Sequence, residues 1–456
     1  MTGSGRRVPA ACPGLAARDS LYTPAHVVDV DLEAPGEPRS PGGARTGAPG
    51  GRVLALVRLH GHPLGLVSVD GDFTDTARLG LALADAAHRR LAAPLAPRVV
   101  RRAAPPRPHT ASGAPVPAAP TVSVVVATHD RPWMLRRCLD TLLRCDHPSY
   151  EVIVVDNAPS GDATRRLVEG RYRGRVRYLT EPVPGLGRAH NRGLAVARGR
   201  ICAFTDDDTL ADPGWLSALQ DAFDDPAHRE ADGGGPGCVT GLILPAELET
   251  PAQSALERHG GFGKGFVPRA WSLRDPPPDP LFPFTAGRFG SGANMAFRTD
   301  VLRSLGGFDP STGTGTPARG GDDLLAFFQV IVAGRRVVYQ PDAVVWHRHR
   351  RTDDALASQA FGYGAGFGAF LAAAIRHRPG ALPGLLRRLP RGVAHAAARA
   401  RARSAQAGPL PGPADAAVLT RLELRGLLYG PFGYLRSVLA ARRADRLPRS
   451  ADPAGP

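Results

Sequence analysis

Lysine is almost absent from this chain. Lys264 is the single lysine among 57 Lys and Arg residues. A chain rich in Arg, Ala, Gly and Pro but not Lys reflects GC-rich coding bias more than a function. Cysteine is also scarce. Cys12, Cys138, Cys145, Cys202 and Cys238 are odd in number and lack paired metal spacing. That excludes a zinc finger and a disulfide scaffold, and it fits a reducing cytosol. Long apolar runs are missing too. The longest, Phe361 to Ile375, is Gly-rich and falls short of the ~20 residues that span a bilayer. The N-terminus has no apolar region of the signal-peptide kind, so a cytoplasmic protein is expected. The net charge is +15. No zinc-finger spacing or RNA-binding aromatic motif accompanies that charge, so nucleic acid is not the expected partner.

With 456 residues the chain has room for two or three domains. Residues 1–102 read as a disordered start followed by a small accessory α+β module. In it, 52–70 has the alternation of a hairpin and about 74–92 that of an amphipathic helix. His60 and His62 fall at the hairpin turn with no further ligands nearby in sequence. Residues 103–120 are a Pro/Ala-rich linker. Residues 121–351 form the main α/β domain. Residues 352–456 are an Arg-rich helical extension, with helical segments at 384–404 and 417–443. Residues 355–456 hold 15 Arg against 4 acids, a balance that suits an anionic membrane surface or solvent. These helices are expected either to pack on the main domain or to lie on a membrane.

The most informative stretch is Ile201-Cys-Ala-Phe-Thr-Asp206-Asp207-Asp208. A short apolar run of this kind is a buried strand. Three carboxylates at its end repel one another unless a positive charge sits among them. Such oxygens suit Mg²⁺ or Mn²⁺, which in turn attract phosphate oxygens. The plainer alternative is an acidic turn in which Asp208 or Asp212 caps the next helix at Pro213. Two further strands also run into polar ends, Thr121–Arg131 and Glu151–Asn157. Gly320-Gly321-Asp322-Asp323 heads an apolar helical pattern. Strand, helix, strand, helix, strand predicts a parallel sheet with its ligand site at the carboxyl ends. Asp130, Asp156 and the 206–208 cluster all fall there. Gly185 and Gly187 do not make a dinucleotide fingerprint, because His190 stands where the third glycine belongs.

From about Thr121 to Arg351 the residues resemble inverting glycosyltransferases of family 2, which have the GT-A fold. The resemblance is carried by Val124–Arg131, Val152–Asn157, Gly185–Gly199, Phe204–Asp208, Gly292–Arg298, Gly306–Asp309 and Gly321–Asp323. It implies a Rossmann-like mixed sheet flanked by helices. It also implies a nucleoside-diphosphate sugar donor of UDP, GDP or dTDP type, a hydroxyl acceptor and a divalent cation, Mn²⁺ or Mg²⁺. Asp206 and Asp208 match the family's D-x-D acids, with Asp207 between them on the donor side. Asp156 matches the acid that contacts base or ribose. Thr128, Asp130 and Arg131 lie in the loop that holds the nucleoside. Arg188 and Asn191 begin a helix that lines the donor pocket. Gly-Asp-Asp aligns with the family's Glu-Asp pair, which makes Asp323 the general base beside Asp322. His347 matches the histidine that completes the metal site, and His349 is the alternative, since residues two apart share a strand face. Arg348, Arg350 and Arg351 are placed to help hold the diphosphate.

The Gln-x-x-Arg-Trp motif of processive synthases is absent, so single-sugar transfer is the expectation. Two other classes compete. A sugar-phosphate nucleotidyltransferase would carry a Gly-rich loop after the first strand, where this chain has Ala-Thr-His-Asp-Arg. A non-catalytic sugar-nucleotide-binding protein would keep the fold without the acid arrangement. The Gly-rich segment 309–321 reads as a mobile loop of the lid kind.

Overall fold

The computed structural model describes residues 21, 23–99, 120–229, 234–388, 390–392, 394 and 416–444. The expected disordered start up to residue 20, the linker up to residue 119 and Cys12 lie outside the described residues. So does most of 384–404. Near the N-terminus, β1 (His26–Asp31), β2 (Gly50–Leu59) and β3 (His62–Asp72) form a three-stranded sheet backed by α1 (Thr76–Val99). The predicted hairpin is β2 and β3, and β1 adds to it in parallel. Val53, Ala55 and Val57 alternate toward α1 and meet its Leu79 and Leu83.

The main sheet has nine strands among the described residues, in the order β10 (Arg269–Trp271), β12 (Val337–His347), β9 (Cys238–Pro245), β11 (Met295–Arg298), β7 (Ile201–Asp206), β4 (Val122–Thr128), β5 (Tyr150–Asn157) and β6 (Val176–Glu181), with β8 (Thr209–Ala211) paired on β12. Its first half is the parallel unit expected: β4 (Val122–Thr128), β5 (Tyr150–Asn157), β6 (Val176–Glu181) and β7 (Ile201–Asp206). Helices α2 (Pro132–Leu142), α3 (Ala163–Arg171) and α4 (Leu186–Val196) make the crossovers. Every residue of β4 is buried, because helices cover both faces of the sheet. Period two divides its side chains. Val125 joins Ile153 and Phe204 in one core, while Val124 and Val126 join Val152 and Ala203 in the other. Register sets Thr128 beside Asp156 and Ala127 beside Asp206, so the polar strand ends form one rim.

The second half is antiparallel where it joins the first. After β8 (Thr209–Ala211) come α5 (Trp215–Asp224), β9 (Cys238–Pro245), α6 (Pro251–His259) and β10 (Arg269–Trp271). Then β11 (Met295–Arg298) wedges antiparallel between β7 and β9. It is followed by α7 (Thr299–Ser304), α8 (Asp322–Val332) and β12 (Val337–His347). The last strand stops at His347, where β8 pairs with it antiparallel and sets His347 opposite Thr209.

The C-terminal helices α9 (Asp353–His377) and α10 (Ala416–Ala444) pack on the main domain and on each other. Gly364 and Gly368 of α9 face Gly426 and Gly430 of α10. A Cβ at Gly364 would collide with the Glu423 carbonyl, and one at Gly430 with the Ala365 carbonyl. The Gly-rich apolar run of the sequence is therefore a close helix crossing. No helix among the described residues is long and apolar enough to cross a membrane. The four described cysteines are free and buried.

The N-terminal module is bound to the main domain by a buried ionic junction. Arg58 donates to Asp29 at 2.8 Å and to Asp212 at 2.7 Å, with all three side chains about a tenth exposed or less. Asp212 does not cap α5 at its first residue; its other oxygen accepts from Gly214 N–H at 3.1 Å. Replacing Arg58 would leave two carboxylates buried without their cation. Arg58→Met should therefore cost about 3–5 kcal/mol in guanidinium unfolding. A loss below about 1 kcal/mol would mean that the junction behaves as a solvated surface pair.

Candidate active site

The site is built where β4, β5, β7 and β12 end. Asp206 closes β7, and Asp207 and Asp208 make the turn into β8. Asp207 is fully buried. It accepts from Thr128 Oγ1 at 2.6 Å and pairs with Arg131 at 2.6 Å. Arg131 also reaches Asp208 at 3.2 Å. One guanidinium from the first strand-end loop thus neutralises part of a triple negative charge. Burial, with the neighbouring charges of Asp208 and Asp207, pushes Asp206 well above the usual carboxylate range. Burial likewise raises Asp207, to about 6, against the pull of Arg131.

His347 comes to the same corner because β12 ends against β8. Ligand atoms of Asp206, Asp208 and His347 all lie within 4.8 Å of one another. His347 Nε2 is 3.4 Å from Asp208 Oδ1, and that oxygen is buried with no hydrogen-bond partner. Burial lowers His347 to about 4, so the ring is neutral near pH 7. A chain of contacts fixes its orientation. His349 Nε2 donates to Glu257 Oε1 at 2.7 Å, and His347 Nδ1 meets His349 Nδ1 at 2.9 Å. His347 Nδ1 is thus engaged by His349, and Nε2 is the nitrogen turned to the acids. His347 Nε2 and Asp208 Oδ1 then face each other with the Asp206 carboxylate beside them. This donor set fits a divalent cation of the Mg²⁺ or Mn²⁺ kind. His349 stands behind His347 and orients it.

The remaining predicted residues divide. Asp156 is fully buried, accepts from Tyr178 OH at 2.8 Å and has its second oxygen unpartnered. Burial raises it. Asp130 sits one turn of loop away with φ 52° and accepts from Ser160 N–H at 3.1 Å. Arg188 lies half-buried in the first turn of α4. Asn191 has its amide engaged elsewhere: it gives and takes a hydrogen bond at 2.8 Å with the Phe308 backbone. It clips the Gly306–Asp309 turn to α4. Arg350 approaches Asp208 at 3.7 Å, whereas Arg348 and Arg351 pair with Glu247.

The acids of α8 are held from two sides. Asp323 accepts from Gly292 N–H and from Leu324 N–H, each at 2.8 Å. Burial and the charge of Asp322 push it up to about 6. Asp322 faces His190 at 3.5 Å. Neither acid is the N-cap of α8. Gly321, at φ 89°, is the N-cap, a left-handed position that favours glycine. The 309–321 segment also departs from the mobile loop expected. Leu186 N–H bonds to Thr314 O at 2.9 Å, Gly313 N–H to Gly320 O at 3.1 Å and Ala318 N–H to Ser437 Oγ at 3.0 Å. Asp309 accepts from Tyr434 at 2.7 Å and His377 at 2.9 Å. The glycines serve tight turns and close packing here.

Three residues escaped the sequence reading. His190 is buried between Phe204 and Phe308, ring centroids 5.0 and 4.9 Å away, and neither ring nitrogen has a hydrogen-bond partner. Trp133 is 52% exposed beside the acids, with the Arg348 guanidinium 4.9 Å from its ring centre. Glu257 lies in α6, far in sequence from the histidines it anchors. Only its three-dimensional neighbours single it out.

Residues 123–305 match the family described as Glycosyl transferase family 2. The main domain belongs to that family. An uncharacterized protein of Mycobacterium tuberculosis is 33% identical over 111 residues, 24% of this chain and 35% of that one. A pre-mycofactocin glycosyltransferase of the same species is 28% identical over 263 residues, 56% of this chain and 48% of that one. The chain spans less than half the length of either relative. Among solved structures, a mannosyltransferase from Pyrobaculum calidifontis in complex with GDP-Man and Mn²⁺ is 23% identical. The match covers 73% of this chain and 89% of that one, with a TM-score of 0.42.

The histidine chain yields a test. His349→Ala should weaken Mn²⁺ binding by about 10- to 100-fold, as lost outer partners of metal ligands do. Electron paramagnetic resonance titration reads this directly, with melting curves as the check on folding. Unchanged affinity would show that His347 needs no orienting partner.

Proposed function

We propose that this protein is a divalent-metal-dependent glycosyltransferase that moves one sugar from a nucleoside-diphosphate sugar to an acceptor hydroxyl with inversion. The observation that carries this reading is the meeting of Asp206, Asp208 and His347, with an unpartnered buried oxygen on Asp208. Family membership supports the same chemistry. When bound, the cation would offset the charge that develops on the departing diphosphate. Asp206, Asp208 and His347 would hold it. Asp207 fixes Arg131 and Thr128 around that corner, and Arg350 adds positive charge at its edge. Asp156 and Asp130 stand where the nucleoside would lie, two strands away along the rim.

Across the site, Asp323 takes the proton of the acceptor hydroxyl as its oxygen attacks the anomeric carbon. The bond from that carbon to the diphosphate oxygen breaks on the opposite face, which inverts the centre. Two backbone N–H groups hold the Asp323 carboxylate in one orientation and leave each oxygen a free lone pair. Asp322 keeps the base basic through its charge. The Arg excess of residues 355–456 supports a working place beside an anionic membrane surface. Four free, buried cysteines support a reducing compartment.

Product release from a panel of UDP, GDP and dTDP sugars, with Mn²⁺ or Mg²⁺ and with chelator, tests the reading. Asp206→Ala and Asp208→Ala should abolish most turnover while the protein stays folded. Near-normal turnover of either variant under chelator would refute the metal assignment. Asp323→Asn should bind donor and metal normally in calorimetry yet lose about 10²–10⁴-fold in transfer rate. Lost donor affinity instead would move Asp323 to the diphosphate side. The acid limb of the rate profile follows from the same group. A protonated Asp323 cannot accept a proton, so kcat should fall as pH drops through about 6 and level off above it. A profile flat from pH 5 to 8 would remove Asp323 as the base.

A further inference from the structure

Helix α10 presents two unlike faces. One packs on α9 and on the 309–321 segment through Gly426, Gly430, Tyr434 and Ser437. The opposite face carries Leu424, Leu428, Phe432, Leu435 and Leu439, exposed by 47, 82, 57, 56 and 48%. At about 100° per residue, these five fall within a band roughly 80° wide. Spacings of four and three keep them on one line along the helix. Arg425, Arg436 and Arg443 border one side of the band, all exposed. Arg436 leans over the Phe432 ring at 5.7 Å. The acid in the described helix, Glu423, is turned away and paired with His259 at 2.9 Å. Next to α9, the segment 376–391 has Arg376, Arg378, Arg387, Arg388 and Arg391 and no acid. Leu382 and Leu386 there are 39 and 58% exposed.

An apolar ridge edged with arginine matches the boundary of an anionic bilayer. Leucine and phenylalanine enter the acyl edge, and guanidinium groups stay at the lipid phosphates. A protein partner of ordinary composition would not call for so one-sided a charge. The helix is too polar to cross the membrane. We propose that α10 lies flat in the headgroup layer of an anionic membrane, with Leu428, Phe432 and Leu435 inserted. This rests on the reading of the Arg excess as membrane-directed and adds the apolar contact that charge alone lacks. The buried face of the same helix holds the segment leading to Asp322 and Asp323, so the element that docks is also one that anchors the approach to those acids.

Co-sedimentation of the full chain with phosphatidylglycerol and with phosphatidylcholine vesicles tests this. Three proteins are compared: wild type, Leu428→Ser with Leu435→Ser, and Arg425→Gln with Arg436→Gln. Wild type should bind the anionic vesicles, and more weakly in high salt. The double serine variant, with its melting curve unchanged, should bind roughly tenfold less tightly or worse. The double glutamine variant should lose the preference for anionic lipid but keep part of its affinity. If the serine variant binds as wild type does, adsorption is by charge alone and the inserted ridge is wrong, while the membrane reading stands. If wild type ignores anionic vesicles at low salt, both fall. If sedimentation velocity shows a wild-type dimer that the serine variant breaks, the ridge belongs to a second copy and the proposal is overturned.

Discussion

Three adjacent carboxylates at the end of a buried strand are the constraint around which this structure is arranged. Left alone, Asp206, Asp207 and Asp208 would pay for burial and for mutual repulsion. The fold offsets part of this with Arg131 and the Thr128 hydroxyl on Asp207. It leaves the rest open toward His347. A neutral imidazole cannot balance a carboxylate, so the corner keeps an unpartnered Asp208 oxygen and an Asp206 carboxyl raised by burial and its neighbours' charge. Those oxygens are what would suit it to the cation proposed above and, through the cation, to a diphosphate.

Bringing His347 to the acids depends on the short strand β8. The chain reverses immediately after Asp208 and pairs with the end of β12. The N-terminal module braces the far end of the same strand, because Arg58 reaches Asp212 one residue beyond it. The module therefore touches the site mechanically without contributing a ligand to it. On the other side, Asn191 and Asp309 fasten the approach to α8, and α9 and α10 hold Asp309 through His377 and Tyr434. Burial would raise the Asp309 carboxyl, yet hydrogen bonds from His377, Tyr434 and Ser311 hold it down to about 2. It stays ionised, and the anchoring stays intact, across the range in which the enzyme would work. The C-terminal helices thus anchor the segment that leads into α8.

The parts legible in sequence were those with short-range signals. Buried β-branched runs marked β4, β5 and β7, and the acids at their ends marked the rim, because strand period and strand polarity are local properties. Register then made Thr128, Asp156 and Asp206 neighbours, as parallel pairing requires. The Gly-Asp-Asp helix start and the two histidines after Trp346 were visible as motifs, and the ligand atom of His347 does lie with those of Asp206 and Asp208.

Other features required the tertiary structure. The wedge of β11 between β7 and β9 joins strands about 90 residues apart, and no local pattern encodes that pairing. Glycines at 313, 315, 320 and 321 looked like freedom in the sequence. In the fold they permit close approach, and the segment is tied down by bonds to α4 and α10. Glu257 and His190 read as ordinary helix residues, since a side chain's importance here comes from what is buried beside it. The sequence alone determined the strand ends, their charges and the family chemistry they imply, because these rest on neighbours along the chain. Only the tertiary structure decided which lone pairs lack partners, which loop is held and which face of α10 is left bare. Those depend on burial and long-range hydrogen bonds, which the order of residues does not state.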